Sequence, residues 1–194
     1  MFFQLPLRFP LLCSVLILSN PVFSATGVRE TVLEDTPARL VLEVEVPAPT
    51  LEDRPDGQSI VVPGFSGATA TGAPSLPWYG FQVATGARQP SVSIEALEWV
   101  DVPLSKGLAG VPRWITNRES EPARDAALFA AAGGISPQLS DLQVYRGLKL
   151  RSITLPIATY VENSGRARVL KKFRVTTTFA APAANPAATA PDSY

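Results

Sequence analysis

Histidine is absent from the 194 residues of this chain, and cysteine occurs only once, as Cys13. Without an imidazole, the chain cannot build a Ser-His-Asp triad, a Cys-His pair or a histidine-ligated metal site. A single cysteine allows neither an internal disulfide nor a cysteine zinc site. We therefore expect no catalytic residue, no metal, no cofactor and no small-molecule substrate.

The chain also has no excess of charge of either sign, since 17 basic side chains balance 17 acidic ones. This balance argues against nucleic acid and against an anionic membrane surface as partners. The hydrophobic share of 46% is enough for the core of one domain. The 19 prolines disfavour long helices and favour short strands joined by loops.

The first 24 residues have the arrangement of a secretory signal peptide. Arg8 precedes an apolar run over residues 11–18, and small side chains lead to a cleavage position after Ser24. The run is shorter than the roughly 20 residues that cross a bilayer, so we expect no stable membrane span after cleavage. A lipid anchor on Cys13 is the alternative, although Leu12 stands where a small residue normally precedes the modified cysteine. The sequence thus predicts an exported chain, located in the periplasm, the outer envelope or the medium.

Apolar side chains with a period of two mark the strongest strands. Residues 38–46 predict a half-buried strand that exposes Glu43 and Glu45 to water. Residues 142–179 predict a hairpin around the turn Asn163-Ser164-Gly165. In residues 91–102 the apolar positions change parity, which indicates a β-bulge near Ala96-Leu97.

Two other segments predict a loop and a helix. Residues 47–58 are interpreted as a loop with a Pro-Asp-Gly turn, and residues 121–134 as a helix that a proline opens and two glycines end. The predicted fold class is mainly β, an antiparallel β-sandwich with one short helix. The predicted organisation is a signal peptide (1–24), a β domain (25–179) and an Ala/Pro-rich disordered tail or linker (180–194).

Candidate chemistry is sparse. The acidic side chains form no catalytic or calcium-binding motif, and a hydrolase that uses carboxylates alone is the weakest hypothesis. Residues 111–124 carry Arg113, Arg118 and Arg124 without strand alternation. Such a long loop is either functional or a solvated segment whose arginines pair with neighbouring glutamates.

The order of segments resembles the N-terminal propeptide of the gingipain-type cysteine peptidases, peptidase family C25. The residues that carry the resemblance are Gly72–Pro77, Phe81–Ala84 with Gly86-Ala87, Leu148–Pro156 and Gly165–Phe179, within a match over about residues 30–180. Thr85 departs from the usual proline before the glycine, and no catalytic domain follows within the chain. We expect either a separate protein or the front part of a longer precursor.

The resemblance implies a non-catalytic domain that binds and inhibits or chaperones a C25-like cysteine peptidase. In this family a basic loop side chain fills the primary specificity pocket of the enzyme. By position, the candidates are Arg118 first, then Arg113 and Arg124. The alternative function is a structural or adhesion-type envelope β-sandwich that has no peptidase partner.

Overall fold

A computed structural model describes residues 27–68, 70–86, 88–114 and 120–180 of the chain. The signal peptide predicted over residues 1–24 lies outside the described residues, as does the predicted tail beyond Ala180. The strands of the described part are β1 Arg29–Asp35, β2 Arg39–Glu45, β3 Thr50–Arg54, β4 Gly57–Val61, β5 Ser66–Gly67, β6 Pro77–Ala84, β7 Pro90–Pro103, β8 Arg113–Trp114, β9 Ser120–Glu121, β10 Gln138–Leu139, β11 Gln143–Tyr145, β12 Leu148–Pro156, β13 Ala158–Tyr160 and β14 Arg166–Phe179. The helix is α1 Ala126–Ala131.

The first sheet is built around β14, the 14-residue strand at its centre. Residues 166–179 of β14 pair with β7 along one side. On the other side, β2 pairs with residues 172–178 and β13 with residues 167–169, and β1 then adds to β2. All of these pairings are antiparallel. The sheet has β1 at one edge and β7 at the other.

The second sheet is built around the antiparallel pair β6 and β12. Short strands extend it, β5 beside β6, and β10 and β11 beside β12. The chain changes sheets between β12 and β13, where Ile157 is fully buried and its N–H donates to the carbonyl of Pro77. Two small hairpins, β3–β4 and β8–β9, lie outside the two sheets.

The core lies between the two sheets. Phe173 of β14 is fully buried, and its ring meets Tyr79 of β6 edge-on with centroids 5.6 Å apart. The Tyr79 hydroxyl reaches out of the core and donates to Glu30 of β1 over 3.0 Å. Burial, and then the Glu30 carboxylate, raise the pKa of Tyr79. This hydrogen bond therefore ties the edge of the first sheet to the second.

The predicted fold class is confirmed, because two antiparallel sheets enclose the hydrophobic core and the described residues include one short helix. The strand over 38–46 is confirmed as β2. The hairpin over 142–179 is confirmed only around its turn at residues 163–165, which joins β13 to β14, because β12, the main part of the predicted first arm, pairs with β6 in the second sheet. The bulge is confirmed as well. Glu98 and Ala96 pair with Lys172 and Phe173 in succession, which leaves Leu97 without a partner.

Other predictions were wrong in detail. Residues 47–58 contain β3, the turn and the start of β4, and the Pro55-Asp56 turn between the two strands was the part interpreted correctly. The helix is shorter than 121–134, because Asp125, not a proline, caps it by accepting from the backbone N–H of Ala127 and Leu128. Glu43 is not a solvated acid, since its carboxylate is bound by Lys172 and Arg174.

Candidate functional site

The segment Gly107–Val111 leads into the β8–β9 hairpin and is held between two other segments by backbone hydrogen bonds. On one side, Gln58 donates to Gly107 over 2.9 Å and accepts from Ala109 over 2.8 Å. On the other side, Ser75 donates to Ala109 over 2.9 Å and Val111 donates to Ala73 over 2.7 Å. The chain therefore enters the hairpin from a position fixed on both edges.

The segment that follows the hairpin is held beside the segment that precedes it. Gly72 donates its N–H to Val111 over 2.8 Å, and its carbonyl accepts from Asp125 over 2.9 Å. One residue thus fixes the segment before the hairpin and the segment after it. Gly72 has a φ of 81°, and an added Cβ would lie 3.0 Å from the Asp125 nitrogen, so this position requires glycine.

Gly110 provides the second close approach. A Cβ at this position would overlap the carbonyl oxygen of Ala123, which belongs to the returning chain. The Gly110 N–H donates to the Asp56 carboxylate over 3.0 Å. We call residues 72–75, 107–111 and 123–125 the loop base. Two glycines allow the three segments of the loop base to contact each other through their backbones.

A buried amide supports the loop base from the β3–β4 side. Gln58 is buried; its Oε1 accepts from the Ser105 N–H and its Nε2 donates to Asp53, each over 2.9 Å. Lys106 also contacts the Asp53 carboxylate over 3.4 Å. The hydrogen bond from Gln58 and the charge of Lys106 lower the pKa of Asp53. The side chain of Gln58 thus satisfies its polar atoms while its backbone pairs with the loop base.

Arg124 lies within the loop base and has three partners. One Nη donates to the carbonyl of Leu108 over 3.2 Å, and the other forms an ion pair with Glu162. The guanidinium also stacks on the ring of Phe129 in α1, with 3.7 Å from its carbon to the ring centroid. These contacts join the loop base to the helix and to the turn before β14.

Of the other two candidate arginines, the structure describes Arg113 alone. Arg113 is exposed in β8 and pairs through its backbone with Glu121 of β9. Arg118 falls in residues 115–119, outside the described part of the chain. Arg113 thus lies at the start of the hairpin, and Arg124 lies in the loop base that supports the hairpin.

A cavity of about 460 Å³ opens beside the loop base, between α1 and the β5–β6 pair. Its wall includes Ala73 and Pro74 of the loop base, Trp78 of β6 and Leu128 of α1. None of the described residues that line it is titratable, so the described wall suits an apolar segment and offers no acid or base. No sequence pattern pointed to this cavity, because its lining residues come from distant segments.

Acidic side chains on the outer face of the first sheet are paired with basic ones. Glu95 and Glu98 of β7 pair with Arg174 and Lys171, each over 2.8 Å. Within the described residues, no cluster of acidic or cysteine side chains has the arrangement of a metal site. The one helix of that part is too short to cross a membrane.

Solved structures of other proteins are similar to this chain in fold. No family model matches the chain, and no curated protein matches its sequence. Among solved structures, one similar chain comes from the complex of Porphyromonas gingivalis RgpB pro- and mature domains. Its TM-score is 0.63 at 11% identity, covering 78% of this chain and 84% of that chain. Another comes from a structural study of zymogenic latency in gingipain K of Porphyromonas gingivalis, with a TM-score of 0.63 at 16% identity, covering 87% of this chain and 99% of that chain.

Both likenesses extend over most of the chain and over most of the solved chains. The segments that carried the resemblance in the sequence are β6, β12, β14 and the Gly72–Pro77 entry. They form the centre of both sheets and part of the loop base. The fold of this chain is therefore a β-sandwich similar to those of the two gingipain structures.

Proposed function

We propose that this chain is a non-catalytic, exported, propeptide-like domain that binds a C25-type cysteine peptidase and inhibits it or assists its folding. The likeness of fold to the two gingipain structures supports the class of partner. The role is exerted in cis if a C25 catalytic domain follows in the same reading frame. It is exerted in trans if the peptidase is a separate protein.

The observation that carries the proposal is the loop base. A segment that blocks a peptidase must keep its shape while bound, since a mobile loop pays an ordering cost and is open to cleavage. Here both ends of the β8–β9 hairpin are fixed through Gly72, which bonds to Val111 and to Asp125. A hairpin supported in this way can present one side chain without the rest of the domain moving.

The three arginines take different parts in this proposal. Arg118 and Arg113 are the side chains that we propose for insertion, because a guanidinium binds a carboxylate in a pocket through two parallel hydrogen bonds. Arg124 is proposed as a support, since its guanidinium is engaged by Leu108, Glu162 and Phe129. Its loss would affect the hairpin through the loop base.

The test is an inhibition titration of a C25-type peptidase from the same organism with the exported chain. We expect saturable inhibition that Arg118→Ala or Arg113→Ala weakens without changing the melting temperature. Arg166→Ala serves as the control, because Arg166 is exposed at the start of β14, outside the hairpin. Absence of both inhibition and binding at high micromolar concentration would contradict the proposal.

Two other outcomes would favour the alternatives. Recovery of wall or surface polymers from envelope extracts, with no peptidase, would favour an adhesion-type sandwich. Turnover by the purified chain that one acid-to-alanine change abolishes would favour a carboxylate hydrolase. Neither alternative accounts for the fixed hairpin.

A further inference from the structure

The outer edge of the first sheet is formed by β7, which is 14 residues long. Along one side it pairs with β14 over its full length. On its other side, no strand among the described residues pairs with it. Half of the backbone N–H and C=O groups of an edge strand point away from the sheet, so this side of β7 is a template for another strand.

The outward face of the sheet carries rows of charged side chains that cross the strands. In the first row, Arg174 of β14 stands between Glu43 of β2 and Glu95 of β7. Its guanidinium contacts the two carboxylates over 3.1 Å and 2.8 Å. The sign of the charge therefore changes at each strand, and the row ends on an acid at the edge.

The second row spans four of the five strands of the sheet. Arg29, Glu45, Lys172 and Glu98 lie opposite one another in register, in the order β1, β2, β14, β7. Arg29 contacts Glu45 over 3.6 Å, and the neighbouring Lys171 contacts Glu98 over 2.8 Å. This row again alternates in sign and ends on an acid of β7.

A third row also ends on an acid of β7, since Arg168 of β14 contacts Asp101 of β7 over 3.4 Å. The three terminal acids remain accessible. The exposed fractions of the side chains are 61% for Glu95, 49% for Glu98 and 59% for Asp101. Among the described residues, each has a basic neighbour on the β14 side only, so a strand that continued the alternation would bring Lys or Arg to the other side.

Other features of β7 limit what can pair with it. Pro90 and Pro103 bound the strand, and the bulge at Leu97 divides it into two shorter stretches. A second copy of β7 would place acidic side chains opposite acidic ones, which is destabilising. The edge is thus unsuited to pairing with itself and is suited to a short basic strand.

We propose that β7 receives an extended segment of a partner polypeptide that carries Lys or Arg at alternate positions. The segment adds to the first sheet as a further strand. Backbone hydrogen bonds to the free edge hold it, and Glu95, Glu98 and Asp101 select its charge. This inference does not depend on the partner being a peptidase.

The test uses the exported chain and synthetic peptides of about ten residues that alternate Lys with Val or Thr. The matched control peptide has Glu in place of every Lys. Two further peptides keep the lysines but carry N-methyl groups along one backbone edge or the other. Binding is followed by fluorescence anisotropy, and the contact is located by amide chemical shifts of the isotope-labelled chain.

We expect the Lys peptide to bind, the Glu peptide not to bind, and one of the two N-methylated peptides to lose binding. The shifted amides should lie in residues 90–103. Glu95→Gln and Glu98→Gln should each weaken binding about two- to fivefold, as for exposed ion pairs, whereas Asp141→Asn, an exposed acid beside the other sheet, should not. Equal binding of both charge types, shifts confined to other strands, no binding up to millimolar peptide, or self-association of the chain through β7 would overturn the proposal.

Discussion

The loop base and the outer face of the first sheet are held together in opposite ways. In the loop base, backbone groups of residues 72–75, 107–111 and 123–125 bond directly to one another, and two glycines permit the contact. On the outer face, side-chain ion pairs cross an already complete ladder of strands. One carbon atom added at either glycine of the loop base would disrupt its backbone contacts. Removal of one ion pair from the outer face would change the stability only slightly, since exposed ion pairs contribute little individually.

This difference also decides what the sequence could reveal. The charged face belongs to strands whose alternation is visible along the chain, so β2 and β14 were predicted at nearly their observed bounds. The bulge at Leu97 was visible for the same reason. The pairing of Glu43 with two bases was not visible, because its partners lie more than a hundred residues further along the chain.

The loop base shows no such pattern. Residues 72–75, 107–111 and 123–125 contact one another through their backbones and belong to three distant segments. Single-residue bridges of this kind leave no periodicity that marks residues 107–111 as a strand. The resemblance of Gly72–Pro77 to a family motif pointed to this region, but the motif suggested an entry into a strand and gave no hint that it supports a hairpin.

The largest effect is expected from Gly110→Ala. Because the new Cβ would overlap the carbonyl oxygen of Ala123, either the returning chain or the segment around Gly110 must move. We expect a loss of about 3 kcal/mol or more in the free energy of unfolding, measured by urea denaturation. Gly133→Ala is the matched control, since no atom lies near its added Cβ. A Gly110→Ala variant as stable as the control would refute the close approach.

A smaller effect is expected from Arg124→Ala. The change removes a hydrogen bond to Leu108, an ion pair with Glu162 and a cation–π contact with Phe129. We expect about 1–2 kcal/mol of destabilisation in thermal or urea unfolding, together with weaker inhibition of the peptidase. Weaker inhibition at unchanged stability would instead assign Arg124 to the contact with the enzyme.

Tyr79→Phe should cost about 1 kcal/mol, because it removes the hydroxyl that donates to Glu30 and leaves the buried ring in place. The loss should appear in urea unfolding and as faster amide exchange in β1, which this bond ties to the second sheet. Unchanged exchange in β1 would show that pairing with β2 alone holds that edge.

The smallest effect is expected at Glu43, and it depends on pH. Hydrogen bonds from Lys172 and Arg174 lower the pKa of Glu43 in the folded chain. A carboxyl with a lowered folded pKa contributes stability above its unfolded pKa and loses that contribution as the pH falls through the folded value. Glu43→Gln should therefore lower the melting temperature at neutral pH and match the unaltered chain in acid. A difference that persisted in acid would mean that packing, not charge, is lost.

The central claim is that the hairpin supported by the loop base is the surface that meets the peptidase. Hydrogen exchange of the exported chain, alone and with a C25-type peptidase whose catalytic cysteine is replaced by alanine, tests it most directly. The account predicts that amides of residues 111–124 become protected in the complex. Protection confined to other regions, with residues 111–124 exchanging as in the free chain, would contradict it.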